Sequence, residues 1–514
     1  MNQDLCRSSL GFFCTAAILL LALRGAYADD GSELSANEGL LHPCRIAGIE
    51  EELLCGKLTV YENRQTRSGR NIGLNIVVLP ARDEKQRSAP LFHLDGGPGV
   101  AATHAAHFYA TFGAGYRQDR DIVLVDQRGT GASNPLHCPD LEQYDGEPQS
   151  YLQEMYPVKA VLACREELEK KADLTLYTTS VAANDLDQVR ETLGYDRIDL
   201  FGLSYGTRLA LVYMRMFPER VRSTVLWGVI SVDAKMPLYH AASGQRVMDL
   251  LLDQCEADLS CSSAFPDIRS EWAELLERLD DAPARVSFAR LEEQSQMLDI
   301  ERLVFAEKLR SMMYTPQGAR EIPFLVHRAS EGDFSPFLER VIPETPAVPG
   351  FIADGLYLSV TCSEDVIRIE PNEASRLSVG TFFKDYRVVQ QRRACEHWPK
   401  AELPEVYHEP VASDIPTLII SGYMDPVTPP AWGEEVARHL SRSRQVVVRH
   451  MAHLPDGLTN VECLDEIMLD FYGHGSAENL SIECTETMLP PPFLTSRRED
   501  VTSTSVKSAG IDQL

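Results

Sequence analysis

The sequence predicts an α/β protein: a mostly parallel, doubly wound sheet with a largely helical cap inserted into it. Three observations lead there. Several strand-length apolar runs are continuous rather than alternating, as strands buried on both faces require. Helix-period segments lie between those runs, so strand, helix and strand follow one another. The alternation lapses between about Val232 and Pro404, where helical patterns crowd together.

The strand-like runs are "LTVY" (58–61), "IGLNIVVLP" (72–80), "LFHL" (91–94), "IVLV" (122–125), "IDLF" (198–201), "STVLWGVI" (223–230), "TLIIS" (417–421) and "VVV" (446–448). Within "SVAANDLDQVRETLG", Ala182, Leu186, Val189 and Leu193 form one stripe, with Ser180 as the cap at its start and Gly194 at its end. A second helix, "YGTRLALVYMRMFP", follows Ser204 and closes at Pro218. "QRVMDLLLDQC" and "SEWAELLERLDD" are helical patterns of the inserted stretch. The expected division is a core in two parts, 29–231 and 405–488, around a cap at 232–404. The end, 489–514, is Pro-rich and then polar and reads as a disordered tail.

Residues 1–28 read as an export signal. Arg7 precedes the apolar "LGFFCTAAILLLAL" (10–23), which falls short of the roughly 20 residues of a spanning helix. "AYA" (26–28) then supplies the small residues of a cleavage site, so the mature chain is expected to begin at Asp29, periplasmic or secreted, with no stable membrane insertion. An uncleaved anchor is the alternative. Beyond Cys6 and Cys14, ten cysteines remain, an even number that suits disulfides in an oxidising compartment. Pairing by order along the chain joins Cys44 with Cys55, Cys138 with Cys164, Cys255 with Cys261, Cys362 with Cys395 and Cys463 with Cys484, although sequence alone does not fix connectivity. No CxxC or HExxH spacing points to a metal. The formal net charge of -27 disfavours nucleic acid as a partner.

The chemistry concentrates at "FGLSYGT" (201–207). A nucleophile is best exposed at the carboxyl edge of a sheet, on a sharp strand-to-helix turn. Side chains two residues away would collide across that turn, so Gly202 and Gly206 flank Ser204. A serine needs a base and an orienting acid, expected after later strands in the order Ser, Asp, His. Asp425 follows "TLIIS", whereas Asp414 lies at the wrong end of that strand. In "VVVRHMAHLPDG", His453 stands in a loop able to curl over the edge, and His450 is the structural alternative. His453 would take the Ser204 proton, and Asp425 would hold its tautomer and stabilise its charged form. The oxyanion donors are expected from Tyr205 N–H and from Gly97 or Gly96 in "LFHLDGGPGV". Asp126 and Arg128 in "VDQRGTGAS" are expected to form a buried pair that shapes the loops. Such a site needs no cofactor and no metal.

Taken in order, "DGGPG" (95–99), "DQRGTGAS" (126–133), "GLSYGT" (202–207), "GYMDPVTPP" (422–430) and the His453 loop resemble the tripeptidyl aminopeptidase and prolyl iminopeptidase group of α/β-hydrolase serine peptidases, closest to its exported, disulfide-bearing branch. The resemblance runs from about Cys44 to Cys484 and is weakest in the cap. It implies the α/β-hydrolase fold and an exopeptidase acting on peptides with a free N-terminus. It also implies cap carboxylates that bind the substrate ammonium, here Glu364 and Asp365 of "TCSED". Two departures stand out: Asp95 replaces the usual histidine before the glycines, and Thr207 follows Gly206 where many members have glycine. An esterase or lipase on the same machinery is the rival reading, because the three residues do not distinguish an ester from an amide. A catalytically inactive binding protein is a third, opposed by the intact serine, aspartate and histidine.

Overall fold

The structure is a computed structural model that describes residues 39–83, 87–142, 147–289, 295–343 and 351–497. The export-signal expectation at 1–28 lies outside them. The strands are β1 (Leu41–Cys44), β2 (Leu53–Tyr61), β3 (Asn71–Leu79), β4 (Leu91–Leu94), β5 (Ile122–Val125), β6 (Ile198–Leu203), β7 (Val221–Trp227), β8 (Ala284–Phe288), β9 (Gln296–Ile300), β10 (Thr417–Gly422) and β11 (Ser443–Val448). Nine form one sheet in the order β1-β2-β3-β5-β4-β6-β7-β10-β11. From β5 to β11 every neighbouring pair is parallel, while β1, β2 and β3 form an antiparallel edge.

Both faces of the sheet are covered, and that is why a central strand such as β5 is apolar throughout. In β5, Val123 and Val125 pack with Leu186, Val189 and Leu209 on one face, while Ile122 and Leu124 pack with Ile467 and Phe471 on the other. The helix Thr179–Thr192 carries the predicted stripe, but Ser180 lies inside it and Thr178 occupies the cap position. Gly194, at φ 76°, ends it as expected.

Three strands go beyond the runs read from the sequence. β1 contains Pro43, which an edge strand accommodates because one side of it has no ladder to donate to. β8 and β9 pair as a separate antiparallel hairpin. In the other direction, "STVLWGVI" stops being strand at Trp227, because Gly228 turns the chain at φ 63°.

Between β7 and β10 the described residues add helices and the β8–β9 hairpin but no strand to the large sheet. Its helices His240–Ala257, Ile268–Asp281, Arg302–Met312 and Ile322–Ser330 share a core that also takes in Met424 and Ala452, neighbours of the two loops discussed below. Contacts bind the described residues into one unit, so 232 and 404 stand as our proposed limits of the inserted cap. The tail expectation is corrected for 489–497: Phe493 is buried with the Arg320 guanidinium 3.9 Å from its ring centroid, and Leu494 N–H donates to Arg320 O. Residues 498–514 lie outside the described residues.

The cysteines pair in the order in which they occur along the chain. Cys44 is bonded to Cys55, which staples β1 to β2. Cys138 is bonded to Cys164, and Cys255 to Cys261. Cys362 is bonded to Cys395, which joins the helices Asp354–Glu364 and Tyr386–Glu396. Cys463 is bonded to Cys484. Among the described residues no helix is long and apolar enough to cross a membrane.

Candidate active site

Ser204 sits between β6 and the helix Tyr205–Met216 at φ 55°, ψ -120°, a region that side-chain-bearing residues rarely occupy. The turn is held from both sides. Ser204 N–H donates to Trp227 O at 2.8 Å, and Ser204 O accepts from Thr207 N–H at 2.9 Å and Thr207 Oγ1 at 2.5 Å. The two glycines are required by contact as well as by conformation. A Cβ on Gly202 would lie 2.6 Å from Gly206 O, and one on Gly206 would lie 2.0 Å from Leu94 O. Thr207 is in the first helical turn, and its hydroxyl also accepts from Ile230 N–H at 2.9 Å.

Asp425 and His453 emerge from the carboxyl ends of β10 and β11, and Asp414 lies exposed at the opposite end of β10. His453 Nδ1 is 2.8 Å from Asp425 Oδ2. An ionised carboxylate only accepts, so this contact requires Nδ1–H and leaves Nε2 as the basic nitrogen. Oδ2 also accepts from Thr428 Oγ1 at 2.6 Å, while Oδ1 accepts from the N–H groups of Val427 and Thr428 at 2.7 and 2.8 Å. Burial alone would raise the Asp425 carboxyl. The adjoining His453 charge and hydrogen bonds from His453 and Thr428 outweigh it, and the group is held below the usual carboxylate range. Asp425 is 0% and His453 4% exposed.

The end of β7 joins this pair to the serine. Trp227 O receives Ser204 N–H, and Trp227 Nε1 donates to His453 O at 3.0 Å. The His453 ring lies so close that a Cβ on Gly228 would be 3.0 Å from Cε1. Ser204, Asp425 and His453 are therefore brought to one edge of the sheet. His450, half-buried in the preceding turn, has its imidazole pushed down by burial, then by the Arg449 and Arg320 charges.

The glycine loop abuts the serine: a Cβ on Gly96 would fall 3.1 Å from Ser204 Cβ. One expectation is corrected here. Gly96 N–H donates to Asp95 Oδ1 at 2.7 Å and is thereby occupied, which leaves Gly97 (φ 104°) beside Tyr205 as the oxyanion-donor candidate. The same contact accounts for Asp95 in place of histidine, since its other oxygen lies 3.3 Å from His93 Nε2 and the carboxylate ties the loop to β4.

Asp126 and Arg128 are buried but not paired with each other. Asp126 accepts from Thr103, Asn75 and Ala132, and Arg128 grips Asp185 through two bonds of 2.6 and 2.9 Å. Glu364 and Asp365 are corrected as open amine anchors. They are 0% and 1% exposed. Glu364 accepts from Thr179 N–H and Oγ1, both at 2.8 Å, and from the Tyr407 hydroxyl. Asp365 holds Arg208 through two bonds of 2.9 Å. The acidic pair thus ties the helix Asp354–Glu364 to the helix behind Ser204. Thr179 Oγ1 continues the network to the Tyr205 hydroxyl at 2.9 Å.

Sequence reasoning misses several participants. Thr428 stands three residues after Asp425, the spacing of a turn in which a carboxylate caps a following N–H, and that signal is present in the sequence. Arg208 is a charge directly before the apolar run 209–214 of the same helix, which calls for a buried partner.

Residues 90–249 match the family model described as alpha/beta hydrolase fold, and residues 380–484 match that of TAP-like proteins. A tripeptidyl aminopeptidase of Streptomyces lividans is 22% identical over 483 residues, covering 86% of this chain and 86% of its own. The serine protease Hip1 of Mycobacterium tuberculosis is 29% identical over 247 residues, covering 45% of this chain and 44% of its own, so the chain spans less than half of that relative. A solved proline iminopeptidase of Mycobacterium smegmatis aligns with 82% of this chain and 98% of its own at 15% identity and a TM-score of 0.37.

Proposed function

We propose that this chain, which matches the alpha/beta hydrolase fold over residues 90–249 and TAP-like proteins over residues 380–484, is an exported serine exopeptidase removing short peptides or single residues from free N-termini. Ser204 Oγ attacks the scissile carbonyl while His453 Nε2 takes its proton. The N–H groups of Tyr205 and Gly97 receive the oxyanion. The C–N bond breaks as His453 returns the proton to the leaving amine, and an acyl-enzyme remains on Ser204. Water, deprotonated by His453, then attacks the ester and frees the N-terminal fragment. Asp425 keeps the proton on Nδ1 and balances the imidazolium throughout.

The observation that carries this reading is the buried 2.8 Å Asp425–His453 contact, on the sheet edge where Ser204 is held at positive φ. The S. lividans relative, an aminopeptidase by name, supports a peptide substrate. Five disulfides support export into an oxidising compartment. One observation keeps an ester hydrolase as the second reading: Glu364 and Asp365, the groups expected to select an ammonium, are already engaged within the protein.

The test uses the protein and its Ser204→Ala variant with peptides whose N-termini are free or acetylated, the products being identified by mass. Serine-dependent release of N-terminal fragments, lost on acetylation, is expected. Cleavage indifferent to acetylation overturns the exopeptidase assignment. Ester hydrolysis without peptide cleavage moves the protein to the second reading.

A further inference from the structure

A second polar cluster borders the Asp425–His453 pair, contributed by residues between β7 and β10. The Tyr314 ring meets the His453 ring edge-on at 5.3 Å between centroids, and Tyr314 O accepts from Leu454 N–H at 2.9 Å. The Arg310 guanidinium lies 5.3 Å from the Tyr314 ring centroid. Arg310 is 1% exposed and grips Glu307 with bonds of 2.8 and 2.9 Å. Arg387 approaches the same carboxylate from another helix, its Nε 3.5 Å from Glu307 Oε1. Tyr156, Tyr357 and Asp354 lie among the surroundings of Glu307 and Arg387.

Two groups in this cluster are under-satisfied. Arg387 offers five N–H donors, yet beyond that long approach to Glu307 its hydrogen-bond partner among the described residues is the Met155 sulfur at 3.2 Å, a weak acceptor. Its side chain is only 12% exposed, so water makes up little of the shortfall. His240 is 3% exposed, and among the described residues neither ring nitrogen has a hydrogen-bond partner. Gly244, one turn further along the same helix, lies against Arg310, where a Cβ would be 3.4 Å from Arg310 Cγ; burial first, then the charges of Arg310, Arg387 and His453, push the His240 imidazole well down. A buried, poorly paired guanidinium beside an unpartnered imidazole suits a planar anion, and a carboxylate matches the guanidinium fork.

We infer that Arg387, with Arg310 and His240 beside it, is a carboxylate-binding subsite on the leaving-group side of Ser204, taking the free C-terminal carboxylate of a short peptide. The side is assigned through Tyr314, whose ring meets both the Arg310 guanidinium and the ring of His453, the group that hands its proton to the departing amine. The inference rests on the hydrolase reading above and adds a length gauge to it: peptides whose C-terminus lies near the cut are preferred.

The experiment compares peptides with free N-termini, paired as C-terminal acid and amide over a range of lengths, on the wild type, Arg387→Gln and Arg387→Lys. A second pair of substrates, 4-acetoxybenzoate and its methyl ester, places a carboxylate or a neutral group on the leaving phenol. The wild type is expected to favour the charged member through KM by about ten- to a hundredfold, the worth of one charge-assisted hydrogen bond. Arg387→Gln removes that preference with little change in kcat, and Arg387→Lys keeps part of it. Equal use of charged and neutral members by the wild type overturns the subsite, as does a loss in Arg387→Gln shared by both members. Discrimination between the esters without peptide cleavage removes the peptidase reading and upholds the subsite.

Discussion

Replacing Asp425 by asparagine changes one atom of the site and, by the geometry around it, forces the proton on His453 to move. The carboxylate uses both oxygens fully. Oδ1 faces two backbone N–H groups, while Oδ2 faces His453 Nδ1 and the Thr428 hydroxyl. Asparagine keeps one oxygen. A hydroxyl can rotate and accept from an NH2, but the N–H groups of Val427 and Thr428 cannot, and leaving either unmade costs about 1–3 kcal/mol. The amide oxygen therefore takes the Oδ1 position and the NH2 turns to His453. Nδ1 must then accept, the ring proton sits on Nε2, and the nitrogen required to receive the Ser204 proton is already protonated. A rate loss of about ten-thousandfold in kcat is expected, which at about 1.4 kcal/mol per tenfold is some 5–6 kcal/mol of transition-state stabilisation. The assay is the initial rate of ester hydrolysis with a denaturant midpoint measured in parallel, the variant remaining folded. A folded variant within tenfold of the wild-type rate would refute the reasoning, because Asp425 would then not be setting the His453 tautomer.

Two more outcomes follow from the same region. Gly206→Ala puts a Cβ 2.0 Å from Leu94 O, a backbone atom of a central strand that cannot yield, and should lower stability by at least about 3 kcal/mol in denaturant unfolding. Glu364→Gln should preserve stability near neutral pH and alter its pH dependence. Burial, the largest influence, raises the Glu364 carboxyl despite Arg208 and its hydrogen bonds, so its contribution is greatest below the ordinary carboxylate range and is lost as pH rises through the elevated folded value. Unfolding free energies measured from acid to neutral pH should show that loss in the wild type and its absence in Glu364→Gln.

The central strands can be read from the sequence because burial on both faces leaves a continuous apolar run, as in "IVLV" and "TLIIS". β8 cannot, since its alternate residues are exposed or half-exposed and its partner β9 is joined through a separate hairpin. Ser204, Asp425 and His453 are legible for a topological reason: each follows a strand, and chain order constrains which strands end at one edge. The network behind Tyr205 is not, because Thr179, Arg208, Glu364 and Tyr407 come from four separate segments and no local pattern announces such pairings. "TCSED" reads as an accessible acidic loop; it is the buried end of the helix Asp354–Glu364, and the compensating charge, Arg208, lies on the helix that follows Ser204.

From Cys44 onward the cysteines are bonded in consecutive pairs, with separations of 6 to 33 residues. A polypeptide threading out of a pore would therefore present Cys44 and Cys55 to each other before Cys138 appeared, and so on along the chain. Oxidation in order of emergence gives the native set with no exchange of partners. None of these bridges ties the segment bearing Ser204 to the segment bearing Asp425 and His453. That junction is made by the β7–β10 ladder, where Thr224 to Trp227 align with Thr417 to Ile420. The covalent links can close one after another during synthesis, whereas Ser204, Asp425 and His453 come together only when the last two strands of the large sheet dock.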